Sequence, residues 1–366
     1  MKIIFLLIFL IIFLKIIFFF LFKYKRGFKY YFKNKNSIKE SVFEFSHNII
    51  FKQKKNFSYK TNGLVYYPLS GRILVPTLKT NNLGFFNGLK GDRNVEKYEM
   101  NDEKFKINCI GDSTTGNYIL DKNKQPITYP IILEEELKDL NSSKKIEVNN
   151  FGQGMYGMQE ILTKLIFENI YTNPNLIILY VGYNDIESYL TKNFTEDFSH
   201  SKKNLLQSKI IIQISKYFYD FKINFLNYFL NKFTAYNLRY GISKLIKKGT
   251  VDLNQNYDVG LDSFKKNIEI FISICNSNNI KIIPCTFCHY LYEEIKSQKK
   301  YQKYDEIIKG QNEKIREVCL EKKIDFIDLE KLMPNDKKFY LDNIHFSEDG
   351  MRLFSSNLKK KIIEII

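Results

Sequence analysis

A chain of 366 residues with a formal net charge of +16 is long enough for one large domain or two ordinary ones, and such a basic excess would suit a nucleic-acid partner. The distribution of the charge excludes that partner: residues 1–60 hold 13 Lys and Arg against 2 Asp and Glu, so everything after residue 60 carries only +5. Five cysteines are an odd number without the spacing of a disulfide scaffold.

Residues 3–22 are an almost unbroken apolar run interrupted by Lys15. About 20 such residues span a bilayer as a helix. No small-residue cleavage site of the A-x-A kind follows, so the run reads as an uncleaved transmembrane anchor and predicts a single-pass protein of the cell membrane. Six Lys and Arg lie between 23 and 35, where anionic lipid is the natural partner. By the positive-inside rule this flank would be cytoplasmic. Residues 23–79 read as a basic juxtamembrane segment and linker, and the turn-rich stretch NNLGFFNGLKGD at 81–92 leads onto the main domain, which is predicted over 80–366.

After residue 105 strands and helices alternate. Strands are predicted at Lys106–Ile110, Ile146–Asn149, Leu176–Val181, Ile280–Thr286 and Asp325–Leu329. One intervening helix opens at a Thr128 cap with Pro130 in its first turn and sets Leu133, Leu137 and Leu140 on one face. Another carries Phe264, Ile268, Phe271 and Cys275 at helical spacing after an Asp262 cap. This order implies a parallel five-stranded sheet with helices on both sides. Residues 190–258 break the rhythm: they are aromatic, basic and helical in pattern. They read as a helical insertion, either a flap packed on the sheet or a lid over the site.

Four stretches fall at the carboxyl ends of these strands, where a parallel sheet gathers its loops on one edge. They are Gly111-Asp112-Ser113, the Gly152/Gly154 loop, Gly182-Tyr183-Asn184-Asp185 and Asp342-x-x-His345. Each has an ordinary reading on its own: Ser113 as a helix cap, Asn184-Asp185 as a turn, Asp342 as a loop cap, and His345 as a structural residue before the helix start at Ser347. Together they supply a hydroxyl nucleophile, a base that is largely neutral at pH 7, and a carboxylate able to reach the far ring nitrogen. They also supply donors for an oxyanion: the Ser113 N–H, an N–H within Gly152–Gly154, and the Asn184 amide. His47 and His200 stand outside any such constellation.

The four blocks, in this order, resemble the SGNH/GDSL hydrolase superfamily. NNLGF at 81–85, TYP at 128–130 and NPNLIILYVGYND at 173–185 are similar to its type-esterase members. The resemblance implies a flavodoxin-like three-layer α/β/α domain and metal-free serine esterase chemistry without a cofactor. The expected site residues are Ser113, Asp342, His345, Gly154 and Asn184. The second-block glycine matches Gly154, with Met155 the alternative register. The expected activity is hydrolysis of an O-acyl ester, O-acetyl above all, on a carbohydrate or envelope component. Lipase or lysophospholipase activity, acyl transfer to a sugar, and a catalytically silent envelope-assembly role remain open. The resemblance also places the catalytic domain outside the cytoplasm, opposite to the reading from flanking charge. A rival pattern, Cys285-x-x-Cys288-His289, has the form of a c-type haem attachment or a redox or metal pair, but it falls at the end of a predicted core strand.

Overall fold

The computed structural model describes residues 43–45, 51–59, 64–74, 77–99, 103–138, 140, 144–192, 194–196, 198 and 251–365. The apolar run 3–22, its basic flank, His47, His200 and most of the 190–258 insertion lie outside the described residues. Among the described residues no helix is long and apolar enough to cross a membrane.

Four parallel strands form the central sheet: β1 (Lys104–Gly111), β2 (Lys145–Gly152), β3 (Leu176–Tyr180) and β4 (Lys281–Cys285), in the spatial order β2-β1-β3-β4. Every residue of β3 is buried, as a strand covered on both faces requires. Consecutive β1 side chains take opposite faces. Asn108 donates to Thr172 at 2.8 Å on one face, while Cys109 meets Tyr129 on the other.

Two helical layers cover those faces. The helix α2 (Tyr129–Leu137) packs on α6 (Glu348–Ile363), and α4 (Asp258–Ser277) packs on α5 (Lys299–Lys322). The single-turn helix α1 (Ser113–Gly116) follows β1, and α3 (Met158–Lys164) follows β2 and packs beside α4. The described residues on either side of the insertion pair with each other: Thr191 bridges Val251, and the Asp252 N–H donates to the Leu190 carbonyl at 2.8 Å.

The sheet departs from expectation at its edge. The predicted fifth strand, Asp325–Leu329, makes a single parallel bridge, Ile327 to Cys285, so among the described residues the ladder has four strands where five are expected. The reason lies in the next residue. Asp328 is drawn out of the ladder by Arg316 of α5 (2.6 Å) and by the Thr286 hydroxyl (3.0 Å), and the chain turns into a short helix at Leu329–Leu332.

One helix start differs: α4 begins four residues before Asp262, where Asn256 Oδ1 accepts from the Asp258 N–H at 2.8 Å. Thr128 is the N-cap residue of α2, as expected, but its hydroxyl makes no cap bond and donates to the Thr115 carbonyl at 3.2 Å. Ser347 does cap α6, accepting from the Gly350 N–H at 3.2 Å.

The stretch at 81–92 is pinned to β2. Asn87 donates to Asn149 at 2.9 Å and accepts from the Asn150 N–H at 3.0 Å, while Phe85 packs on Phe151. Arg93 forms a bidentate pair with Glu134 of α2. Upstream, a hairpin of Leu64–Tyr67 against Gly71–Leu74 lies in the segment read as linker, yet it packs onto the main domain.

Candidate active site

The strands end in step. Gly111 is in register with Gly152 on one side and Tyr180 on the other, and Tyr180 is in register with Cys285. The chain steps from β1 to β2 on one side, then crosses back past β1 to β3 and on to β4 on the other. This is where a doubly wound sheet opens a crevice at its carboxyl edge.

The turn after β1 presents Ser113. Asp112 caps α1, its Oδ1 accepting from the Thr114 N–H at 2.8 Å and the Thr114 hydroxyl at 2.7 Å. The end of β2 presses onto this turn. A side chain at Gly152 would put Cβ 2.2 Å from the Gly116 nitrogen, so only glycine lets the two backbones meet. The loop then passes Ser113, whose Cβ lies 3.8 Å from where a Cβ would stand on Gly154. Of the backbone donors in Gly152–Gly154, Gly152 serves Asn150 Oδ1 at 2.8 Å and Gln153 serves the Gly111 carbonyl at 3.0 Å. Gly154 is therefore the loop's candidate donor. Met155, next to it, takes a left-handed φ of 72°.

The turn after β3 divides its two polar residues. Asn184 is half-buried, and its amide donates to the Tyr156 carbonyl at 3.1 Å and to Asp112 Oδ2 at 3.3 Å. Asp185 is buried and faces away, both its oxygens accepting from the Met158 N–H at the start of α3. Of this pair, only Asn184 faces the turn that carries Ser113.

The loop before α6 brings Asp342 and His345. Asp342 Oδ1 accepts from the Ile344 and His345 N–H groups at 2.9 and 2.7 Å, and Oδ2 lies 2.7 Å from His345 Nδ1. With the proton on Nδ1, Nε2 is left to accept, and Ser113 Oγ lies 3.0 Å from it. Residues 113 and 345 thus meet across the whole domain. Burial pulls the His345 imidazolium down, but the Asp342 bond and charge, with Asp112 behind them, outweigh it and hold the pKa above its ordinary value. Burial pushes Asp342 up, yet the His345 bond and charge hold it below the usual carboxylate range. Asp112 has no such partner: burial raises its pKa, against the bonds from Thr114 and the field of His345. An arrangement of this kind can draw the Ser113 proton onto Nε2 and stabilise the resulting imidazolium.

Several contacts at the site are not legible in the sequence, even where the residue lies in one of the four stretches. The Leu341 N–H donates to the His345 carbonyl at 2.7 Å, closing the loop on itself. Tyr183 Oη accepts from Asn343 Nδ2 at 3.1 Å, tying the Asn184 turn to the His345 loop. Tyr67 lies edge-on to the His345 ring, centroids 6.0 Å apart. Ordinary tyrosines and asparagines at such separations leave no local pattern to read.

The Cys285-x-x-Cys288-His289 pattern is core packing. Both thiols are buried, Cys288 contacts Tyr180, and His289 pairs with Asp305 at 3.0 Å, so a group attached there would have to displace the sheet's own interior. Among the described residues no three His, Cys, Asp or Glu side chains are grouped to hold a metal ion.

Comparison with known proteins places this site in a family. The sequence profile of the GDSL-like lipase/acylhydrolase family matches residues 109–353, more than half of the chain and all of the residues just described from Asp112 to His345. Comparison with curated protein sequences finds no match. Among solved structures, the lipase/acylhydrolase from Enterococcus faecalis is similar at 17% identity with a TM-score of 0.42, covering 70% of this chain and 94% of that one. The acetyl xylan esterase AlAXEase is similar at 17% identity and 0.42, covering 70% and 99%. The acetylxylan esterase from Geobacillus stearothermophilus is similar at 14% and 0.42, covering 70% and 93%. On the strength of the profile match, the chain belongs to the GDSL-like lipase/acylhydrolase family and is a hydrolase acting on ester bonds.

Proposed function

We propose that the chain is a serine esterase in which Ser113 is the nucleophile, His345 the general base and then acid, and Asp342 the group that fixes the imidazole tautomer. The observation that carries this reading is the unbroken line of hydrogen bonds from Asp342 Oδ2 through His345 to Ser113 Oγ, 2.7 and 3.0 Å. Ser113 attacks the ester carbonyl as its proton passes to Nε2, and the tetrahedral oxyanion takes bonds from the Ser113 and Gly154 N–H groups. The Asn184 amide, whose bond to Asp112 is the longer of its two, turns onto the same oxygen. His345 returns the proton to the leaving alcohol, and water, activated by the same base, releases the acid. The chemistry calls for no metal or cofactor.

The substrate we propose is a small O-acyl ester, O-acetyl above all, on a carbohydrate or envelope component. Its support is the resemblance of NNLGF, TYP and NPNLIILYVGYND to type-esterases. The apolar run 3–22 anchors the chain in the cell membrane, with the domain on the extracytoplasmic side. That run with its basic flank also favours a second reading, a lysolipid ester taken from the bilayer.

The test is hydrolysis of p-nitrophenyl acetate by the full chain and its Ser113→Ala variant. The variant is expected to lose at least about 10⁴-fold in kcat/KM; retained activity would reject Ser113 as nucleophile. Acetylated xylo-oligosaccharides run against lysophosphatidylcholine decide between the two substrate readings.

A further inference from the structure

The hairpin Leu64–Tyr67/Gly71–Leu74 lies wholly outside residues 109–353, the part of the chain that the family profile matches. It nevertheless reaches the site at two places. At its turn, the Leu69 N–H donates to the Leu341 carbonyl at 3.0 Å, and Leu341 is the residue whose own N–H holds the His345 carbonyl at 2.7 Å. The hairpin is therefore one backbone hydrogen bond away from the loop that carries Asp342 and His345.

At the end of its first strand stands Tyr67, only 8% exposed. One side of this side chain faces the base: its ring meets the His345 imidazole edge-on, centroids 6.0 Å apart and planes at 69°, the arrangement aromatic pairs prefer. Its far end faces the nucleophile's element. Tyr67 Oη donates to Asn117 Oδ1 at 3.1 Å, and Asn117 is the residue that ends α1, the single turn that begins at Ser113. The phenol keeps the proton it donates: burial, against the Asn117 bond and with the charge of Asp342, raises its pKa to about 12. One side chain thus touches both the element bearing Ser113 and the ring of His345, whose reacting atoms lie 3.0 Å apart.

We propose that Tyr67 is a positioning residue for the esterase reaction, setting the placement of the His345 ring against Ser113, and that the hairpin 64–74 is a working part of the active site. This rests on the reading of Ser113 and His345 given above. The ring restrains imidazole tilt. The hydroxyl fixes the distance from that ring to α1. Placement of this kind is realised in the chemical step, so its loss lowers kcat and leaves KM alone.

The test uses the full chain, p-nitrophenyl acetate, and the variants Tyr67→Phe and Tyr67→Leu beside Ser113→Ala. Tyr67→Phe keeps the ring and drops the Asn117 bond; kcat is expected to fall about fivefold, what one neutral hydrogen bond is worth. Tyr67→Leu removes the ring as well, and kcat is expected to fall about 50-fold, as for a small misplacement of reacting groups. In both, KM stays within about twofold of the parent. A residue that merely supported the fold would lower the amount of active protein without this graded kcat loss, so rates are scaled to active sites titrated by burst. Should Tyr67→Leu fail to fold, the graded loss in Tyr67→Phe alone decides. The proposal is overturned if Tyr67→Phe and Tyr67→Leu keep kcat within twofold, or if the loss falls on KM. Ser113→Ala separates the two claims: activity retained there sinks the nucleophile assignment, whereas a dead Ser113→Ala beside unimpaired Tyr67 variants sinks only the positioning role.

Discussion

Two loops face each other across the site, the turn Gly111–Gly116 and the loop Tyr340–Phe346. Each carries an aspartate and one member of the Ser113–His345 pair. The two carboxyl groups behave in opposite ways. Asp342 has a cationic partner when His345 is protonated, and that partner holds its pKa down. Asp112 is more deeply buried and bonded only to dipoles, the Thr114 N–H and hydroxyl and the Asn184 amide, and its pKa rises. The difference shows that burial alone does not mark a carboxylate for chemistry. What matters is whether the charge faces a group whose own charge changes during the reaction. In the proposed reaction Asp342 holds charge on the imidazole, while Asp112 shapes the turn and adds the lesser field at His345.

Substitution at the two positions breaks this comparison open, and the larger effect belongs to Asp342. Asp342→Asn is expected to lower kcat/KM by about 10³- to 10⁴-fold, by losing the preferred tautomer. The acid limb of the pH profile carries the sign. A general base must be neutral, so activity rises with pH through the His345 pKa, which Asp342 holds above its ordinary value. Removing that charge moves the limb to lower pH. A limb that stays put or moves up would contradict the pairing.

Asp112→Asn sharpens the comparison with a smaller change. The amide keeps one oxygen for Thr114 but sets a second NH₂ group against Asn184, so kcat/KM is expected to fall about tenfold. The acid limb moves down less than in Asp342→Asn, since Asp112 is the lesser of the charges that raise His345. Stability provides an independent reading. A carboxyl whose folded pKa is raised stabilises the fold below its unfolded value and loses that contribution as pH climbs through the folded value. As pH climbs above the ordinary aspartate value, the melting temperature of Asp112→Asn should therefore gain on that of the parent. A difference that moves the other way would show Asp112 ionised at low cost.

The elements that can be read from the sequence are those defined by local chemistry. The runs predicted at Lys106–Ile110, Ile146–Asn149, Leu176–Val181 and Ile280–Thr286 are largely apolar because parallel strands are buried on both faces; the first three lead into the loops of Ser113, Gly154 and Asn184, and His345 meets Ser113 from the loop before α6. The Asp325–Leu329 run has the strand's apolar pair Phe326-Ile327, but Asp328 within it is engaged by Arg316 of a different helix, a partner the run itself does not reveal. The Asp262 cap fails for a similar reason: the helix starts at Asp258, after an Asn256 bond to the Asp258 N–H that lies six residues upstream of Asp262, beyond the periodic stretch. Tyr67 is the hardest to read. It meets His345 from 278 positions away, in a segment whose composition suggests only a linker, and contacts between distant residues follow from topology and not from pattern.

The most direct measurement of the central claim is the mass of the Ser113 peptide after the folded chain meets a fluorophosphonate, which phosphonylates only a serine activated by a neighbouring base. We expect a single adduct on Ser113 in the full chain, absent from a His345→Ala variant of the same melting behaviour. An unlabelled Ser113 in folded, active protein, or an adduct formed equally well without His345, would contradict the account.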